Sequence, residues 1–121
     1  MTHIPPSTIT CVGKLLEQVP ELRSIYAEHI HDNNEILPHM FFGDVTRYVV
    51  QQVHSGAMGP SKPVGRILEV LEHCMASGDE QVKELVSVSF IENLVEHDDV
   101  LARLKGMMGA SLEKELENYG K

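Results

Sequence analysis

The sequence has no tryptophan and few other aromatic residues, with three Phe and three Tyr among 121 residues. Apolar residues still make up 42% of the chain, so leucine, valine, isoleucine and methionine must fill its interior. A chain of this length is the size of one domain and can bury its own core. We therefore expect a single domain over residues 1–121, in which residues 1–7 form a flexible leader.

The chain also lacks a long apolar run. No stretch approaches the ~20 apolar residues that a helix needs to span a bilayer. The N-terminus, MTHIPPSTIT, has neither the charged start nor the apolar segment of a signal peptide. These absences predict a cytoplasmic protein. Its two cysteines, Cys11 and Cys74, have no CxxC spacing, so buried reduced thiols are expected in preference to a disulfide.

Basic residues are scarce, with 10 Lys and Arg against 18 Asp and Glu and a net charge of −8. The excess is local, because residues 67–121 hold twelve acids and five bases while residues 1–66 hold six and five. Such a surface repels nucleic-acid phosphates and anionic lipids, so neither nucleic acid nor membrane is expected as a partner. It either attracts a basic protein to the C-terminal half or simply keeps the chain soluble.

What the chain does have is apolar residues at helical spacing, with no strand-like alternation. The pattern predicts an all-α fold of about seven short helices. Residues 63–77 and 79–94 should form a helical hairpin of the kind stacked in HEAT-type arrays. The second helix of this hairpin is apolar nearly all round, which predicts a central buried helix. Its apolar residues are Val82, Leu85, Val86, Val88, Phe90, Ile91 and Leu94.

Several helix ends can be assigned from residue preferences. Ser7 or Thr8 is expected to cap the first helix. Gly78 suits a left-handed position at the end of a helix, and Asp79 suits the cap of the next one. Asp98-Asp99 should cap a later short helix. The inward face of the first helix is predicted to carry Ile9, Val12, Leu16 and Val19.

Motifs for catalysis and metal binding are missing from the sequence. There is no HExxH, no Cys/His cluster at zinc spacing, no GxSxG and no glycine-rich phosphate loop. The sequence therefore predicts a protein that is not an enzyme and that holds no metal or other cofactor. The alternative left open is a metal site assembled from distant residues such as His29, Glu35 and His39.

The stretch EILPHMFFGD places three large apolar residues among polar ones, which suggests either a buried helix start or an exposed patch for a partner. Pro38 disfavours helix before it, so residues 35–37 should be extended. Phe41 and Phe42 are expected to lie mostly in the core. Asp44 and Arg47, three residues apart on one helix, should pair.

Three runs carry a family resemblance: PELRSIYAEHIHDNNEILPHMFFGDVTRYVV, VGRILEVLEHCMASGDEQVKELVSVSFIENL and LARLKGMMGASLEKELENYGK. They resemble a family of small bacterial helical proteins described as a domain of unknown function, and the resemblance extends from about Leu15 to Gly120. It implies a helical fold and supplies no catalytic residue. Similar small acidic proteins often serve as immunity proteins beside bacterial toxins, which is an analogy.

The expected function is that of a cytoplasmic bacterial immunity protein that binds and neutralises a cognate toxin, with a basic toxin domain as partner. The alternative is a helical adaptor or regulatory module without a toxin partner. The contact is expected to combine the acidic turns, at residues 79–80 and 96–99, with His39 and Asp44, provided that the turns and this segment lie on one side of the molecule. The candidate partner-binding residues are Glu35, His39, Asp44, Asp79, Glu80, Glu96, Asp98 and Asp99.

Overall fold

The computed structural model describes residues 4–121, and within that range it contains seven helices and no strand. The first four are α1 Pro6–Gln18, α2 Arg23–Asn33 with a preceding 3₁₀ turn Pro20–Leu22, α3 Pro38–His54 and α4 Pro63–Ser77. Helix α5 consists of three consecutive segments: an α-helical part Glu80–Val86, a π-helical part Ser87–Ile91, and an α-helical part Glu92–Leu94. Helix α6 is Asp98–Leu104 with a following 3₁₀ turn Lys105–Met107, and α7 is Ala110–Glu117. The predicted all-α fold is confirmed.

Helix α5 lies at the centre of the molecule. It packs against α1, α3 and α4, and its π-helical segment also contacts α7. Leu85, Phe90 and Ile91 are fully buried, as predicted. The prediction is wrong for Val88, which is 43% exposed. Val88 lies four residues from both Glu84 and Glu92, so it shares their exposed side of the helix.

The predicted inward face of helix α1 is confirmed at Val12 and Val19 and wrong at Ile9 and Leu16. Ile9 is 41% exposed and Leu16 is only partly buried. The inward face instead carries Thr8, Cys11, Val12, Leu15 and Val19, which follow the 3–4 spacing of a helix face. Thr8 can be buried because its hydroxyl donates to the Pro5 carbonyl at 2.7 Å. The inward face is therefore shifted around the helix from the predicted one, because the prediction considered only apolar residues and did not include Thr8.

Helix α1 begins at Pro6, with no side-chain cap. Pro6 and Ser7 thus lie in the helix and not in the leader predicted over residues 1–7, of which residues 1–3 lie outside the described range. Ser7 does not cap α1. Its hydroxyl donates to Asp79 Oδ1 at 3.1 Å and so links α1 to the start of α5.

The cap of α5 is as predicted, because Asp79 Oδ1 accepts the Val82 N–H at 3.0 Å. The hydrogen bonds from Val82 and Ser7 hold the pKa of Asp79 below its usual range. Gly78 is extended (φ −81°, ψ 165°) and not left-handed. A Cβ there would lie 2.4 Å from the Cys74 carbonyl oxygen, so close packing, and not a left-handed backbone, requires glycine.

The two cysteines are buried and free, as predicted. They lie on α1 and α4, two helices that pack together. The interaction of the two thiols, together with burial, raises the pKa of Cys11, and the same interaction lowers the pKa of Cys74.

Candidate functional site

The start of α3 divides the three large apolar residues of EILPHMFFGD between core and surface. Phe41 and Phe42 are fully buried, as predicted, and the ring of Tyr26 meets Phe41 edge-on at a centroid distance of 5.5 Å. Met40 is 56% exposed. The stretch therefore both begins a buried helix and presents an apolar side chain to solvent.

The segment between α2 and α3 is held in place by a buried histidine. Asn34 takes up a left-handed conformation (φ 60°) that ends α2, and Leu37 is extended (φ −118°, ψ 92°), as the following Pro38 predicts. The Leu37 N–H donates to Nε2 of His29 at 2.9 Å. Since the side chain of His29 is almost inaccessible to solvent, this bond fixes residues 35–37 against α2.

The same histidine connects this segment to the predicted ion pair of α3. Its Nδ1 lies 3.3 Å from the side-chain amide nitrogen of Asn33, on the same helix. Nδ1 lies 3.9 Å from Oδ2 of Asp44, whose other oxygen pairs with Arg47. The pairing of Asp44 with Arg47 was predicted; the link through His29 to the Leu37 backbone was not.

An apolar groove runs beside the start of α3, with a volume of about 430 Å³. One wall comes from the beginning of α1, one from residues 36–40 and one from α5. The residues that line it are Ile4, Pro5, Thr8, Ile36, Leu37, Pro38, His39, Met40, Gln81, Glu84 and Leu85. The lining is mainly apolar with a few polar groups, which is typical of a binding groove.

An acidic pocket of about 530 Å³ lies on the other side of Met40. Its lining is mostly polar and includes residues of α2 and α3, namely Ile25, Glu28, His29, Asp32, Asn33, Met40, Asp44, Arg47, Tyr48 and Gln51. Glu28 and Asp32 are exposed and lie four residues apart, so they project from one side of α2. Because Met40 lines both the groove and the pocket, they form one surface, which we call the Met40 surface.

His39 links α3 to α5 at the edge of the groove. Its Nδ1 lies 2.5 Å from Oγ of Ser89, in the π-helical segment. The Ser89 carbonyl accepts hydrogen bonds from the Thr46 hydroxyl at 3.1 Å and the Asn93 amide at 2.9 Å. A serine nucleophile must reach its substrate, whereas Ser89 is 5% exposed. The observed contacts give the pair a role in joining the two helices.

The predicted site residues fall at two separate places. Glu35, beside the groove residue Ile36, and Asp44 in the acidic pocket lie near the start of α3, as does His39. Glu80 is exposed in the first turn of α5, four residues before the groove residue Glu84. Asp79 is engaged in capping that helix.

Two of the remaining predicted residues, Asp98 and Asp99, lie beyond the other end of α3. Asp99 accepts a hydrogen bond from His54, in the last turn of α3, at 3.0 Å. Asp98 pairs with Lys121 at 3.0 Å, and neither aspartate makes the side-chain cap predicted for α6. Glu96 lies beside the middle of α3, on a pocket that shares Arg47 and Gln51 with the acidic pocket. Because the 17 residues of α3 extend about 25 Å, Asp98 and Asp99 lie at the opposite end of that helix from His39.

Within residues 4–121 there is no group of three or more His, Cys, Asp and Glu side chains positioned to hold a metal. In the alternative set considered from the sequence, Nε2 of His29 already accepts the Leu37 N–H and Nδ1 of His39 faces Ser89.

Sequence reasoning missed the apolar part of the site. It selected mainly charged residues and passed over the apolar residues Ile4, Ile36 and Leu37, which line the groove. The sequence did contain one indication of this groove: the apolar run that begins at Met40 follows Pro38, which fixes the start of a helix and so the position of the Met40 side chain. The proximity of the α1 start and α5 depends on tertiary packing and leaves no local pattern.

Comparison with known proteins agrees with the resemblance seen in the sequence. A family model described as a domain of unknown function, DUF7674, matches residues 12–120. The chain belongs to this family. No curated protein and no solved structure matches the chain. Within the part of this DUF7674 member that the structure describes, no helix has both the length and the apolar character needed to cross a membrane.

Proposed function

We propose that this DUF7674 protein binds a basic protein partner through the Met40 surface, and that it acts in the bacterial cytoplasm as an immunity protein that neutralises a toxin. One observation carries the binding proposal: an apolar groove and an acidic pocket share Met40 and form one continuous surface. Protein interfaces combine an apolar centre, which supplies most of the affinity, with a polar and charged rim.

The charge of the surface supports a basic partner. Glu28, Asp32 and Glu84 line the pocket and the groove, and none of them has an ion-pair partner among residues 4–121. The chain as a whole carries a net charge of −8. A basic toxin domain would be drawn to such a protein, because complementary charge raises association rates.

The proposal is for binding without catalysis. The two histidines that could act as catalytic bases make structural contacts instead. His29 accepts the Leu37 N–H, and Nδ1 of His39 faces the hydroxyl of the buried Ser89. Both histidines lie beside the Met40 surface and fix the position of the segments that form it.

The size of the groove favours a second candidate, a helical adaptor that holds a short segment of a cellular partner. A volume of about 430 Å³ accommodates a few side chains. Blocking a toxin usually requires a broader interface of about 1,600 Å² in total, to which the groove would contribute only one part.

The test is co-expression with the product of the neighbouring gene, followed by assays of growth and of complex formation. For an immunity protein we expect the neighbour to be toxic alone and harmless in the presence of this protein. Met40→Asn should abolish protection, whereas Val88→Asn, a matched change at another exposed apolar side chain, should retain it.

Two results would revise the proposal. A neighbour that binds through Met40 but is not toxic would favour the adaptor. Full protection by Met40→Asn, with the protein folded, would show that the partner uses another surface.

A further inference from the structure

We infer that the partner segment bound by the Met40 surface is an amphipathic basic helix, which places apolar side chains in the groove and a Lys or Arg in the acidic pocket. This inference rests on the proposed function, since it specifies the partner of the same surface.

A helix fits because the groove offers no free backbone edge to an extended segment. Its walls on α1, α3 and α5 are helical and residues 4–121 contain no strand, so the N–H groups left unpaired at the helix starts form no strand-like row. At the extended stretch, the Leu37 N–H donates to His29 and the Leu37 carbonyl accepts the Phe41 N–H at 2.9 Å. Strand addition needs unpaired main-chain groups, whereas a helix arrives with its own hydrogen bonds satisfied.

The lining of the groove calls for apolar anchors on that helix. Ile36, Leu37 and Pro38 form one side, and Ile4 with Pro5 forms another. These side chains are held by the fold, which lowers the entropic cost of binding. Met40 is the adaptable element, because its unbranched thioether can pack against side chains of different shape.

The acidic pocket calls for a basic residue near the apolar anchors. Asp44 is already paired with Arg47 and lies close to His29, so the available carboxylates are those of Glu28 and Asp32. A Lys or Arg on the flank of the bound helix can lay its apolar stem along Met40 and extend its charge to these carboxylates. A charge pair next to a buried apolar contact adds orientation and specificity.

The probes are two synthetic amphipathic peptides of about 18 residues, long enough to form a helix. One combines Leu with Lys and the other combines Leu with Glu in the same pattern. Fluorescence anisotropy at physiological salt should show binding of the Leu/Lys peptide and none of the Leu/Glu peptide. Methyl NMR should place the largest shift of the bound state at Met40.

Matched variants separate the groove from general charge attraction. Met40→Asn should weaken binding of the Leu/Lys peptide about tenfold, and Val88→Asn should leave it unchanged. The double variant Glu28→Gln, Asp32→Asn should weaken it by a similar factor through faster dissociation. The control Glu113→Gln, Glu117→Gln removes the same charge from exposed positions four apart on α7 and should leave dissociation unchanged. Circular dichroism checks that each variant is folded.

Three outcomes would overturn the inference: equal binding of both peptides, equal effects of the two double variants, or equal effects of the Met40 and Val88 variants. The proposed function fails separately. If a toxin is neutralised through Met40 while the Leu/Lys peptide does not bind, the function stands and the helix is wrong. If the peptide binds as described and no toxin is neutralised, the helix stands and immunity is wrong.

Discussion

At the residue scale, His29 determines the shape of the surface that we propose as the binding site. Its Nε2 accepts the Leu37 N–H, and this bond orients the wall of the groove that residues 36–38 provide. The role could not be read from the sequence. The ring reaches a backbone group eight residues away across a turn, and a histidine next to polar residues looks the same whether it is buried or exposed.

We predict that His29→Ala lowers the free energy of unfolding by about 3 kcal/mol, because it leaves a cavity and an unpaired N–H at Leu37. His31→Ala is the matched control, since His31 is exposed on the same helix. Urea unfolding measures the change, and amide hydrogen exchange should show faster exchange at Leu37 in the first variant alone. Equal stability of the two variants would contradict the assigned role of His29.

At the element scale, the sequence predicted most helices because their apolar stripes are long and regular. The hairpin of α4 and α5 and the extended turn before Pro38 are as predicted. The errors have local causes. Thr8 took an inward position by satisfying its own hydroxyl, and Val88 was assigned to the core without regard to the acids one turn away on either side. The π-helical segment Ser87–Ile91 packs against α3, and no periodic pattern in the sequence marks it.

Another contact between elements that the sequence does not reveal is the cap of α7. The Glu72 carboxylate on α4 accepts the N–H groups of Ser111 and Leu112 at 2.9 and 3.0 Å. It approaches so closely that a Cβ at Gly109 would lie 2.5 Å from Glu72 Cδ. A carboxylate at a helix N-terminus satisfies unpaired donors and is favoured by the helix dipole.

We predict that Glu72→Ala lowers the free energy of unfolding by about 1–2 kcal/mol, because two N–H groups of α7 lose their acceptor. Glu69→Ala, on the exposed side of α4, should change it by less than about 0.5 kcal/mol. Thermal or urea unfolding tests the pair. Faster hydrogen exchange confined to Ser111 and Leu112 would identify the cap as the cause, and unchanged exchange there would refute it.

At the scale of the whole molecule, we expect the net charge of −8 to act on a partner over distance and the proposed Met40 surface to act by contact. The sequence predicted the imbalance of charge between the two halves. It could not show that the predicted acidic residues lie at both ends of α3, because their separation depends on how the helices are arranged. Long-range attraction and short-range affinity therefore belong to different groups of residues and can be measured apart.

We predict that reversing Glu96, Asp98 and Asp99 to Lys slows association with the basic Leu/Lys peptide and weakens the salt dependence of that rate. Each reversal replaces a negative charge with a positive one and so changes the net charge by two units, and the three together move it six units towards neutrality. The protein should remain folded, because the pairs lost with Lys121 and His54 are exposed and such pairs contribute little. Dissociation should be unchanged, since none of the three residues lines the groove or the acidic pocket.

Stopped-flow fluorescence at two salt concentrations provides the measurement. The Debye length is about 30 Å at 0.01 M and about 8 Å at 0.15 M, so association should slow several-fold at the lower salt and hardly at the higher. The variant Glu28→Gln, Asp32→Asn should instead speed dissociation at both salt concentrations, because it lacks the two carboxylates that are proposed to contact the peptide directly. Unchanged association at low salt would mean that Glu96, Asp98 and Asp99 contribute to solubility alone. Faster dissociation of the triple variant would mean that the peptide contacts these acids directly, and binding confined to the Met40 surface would then be wrong.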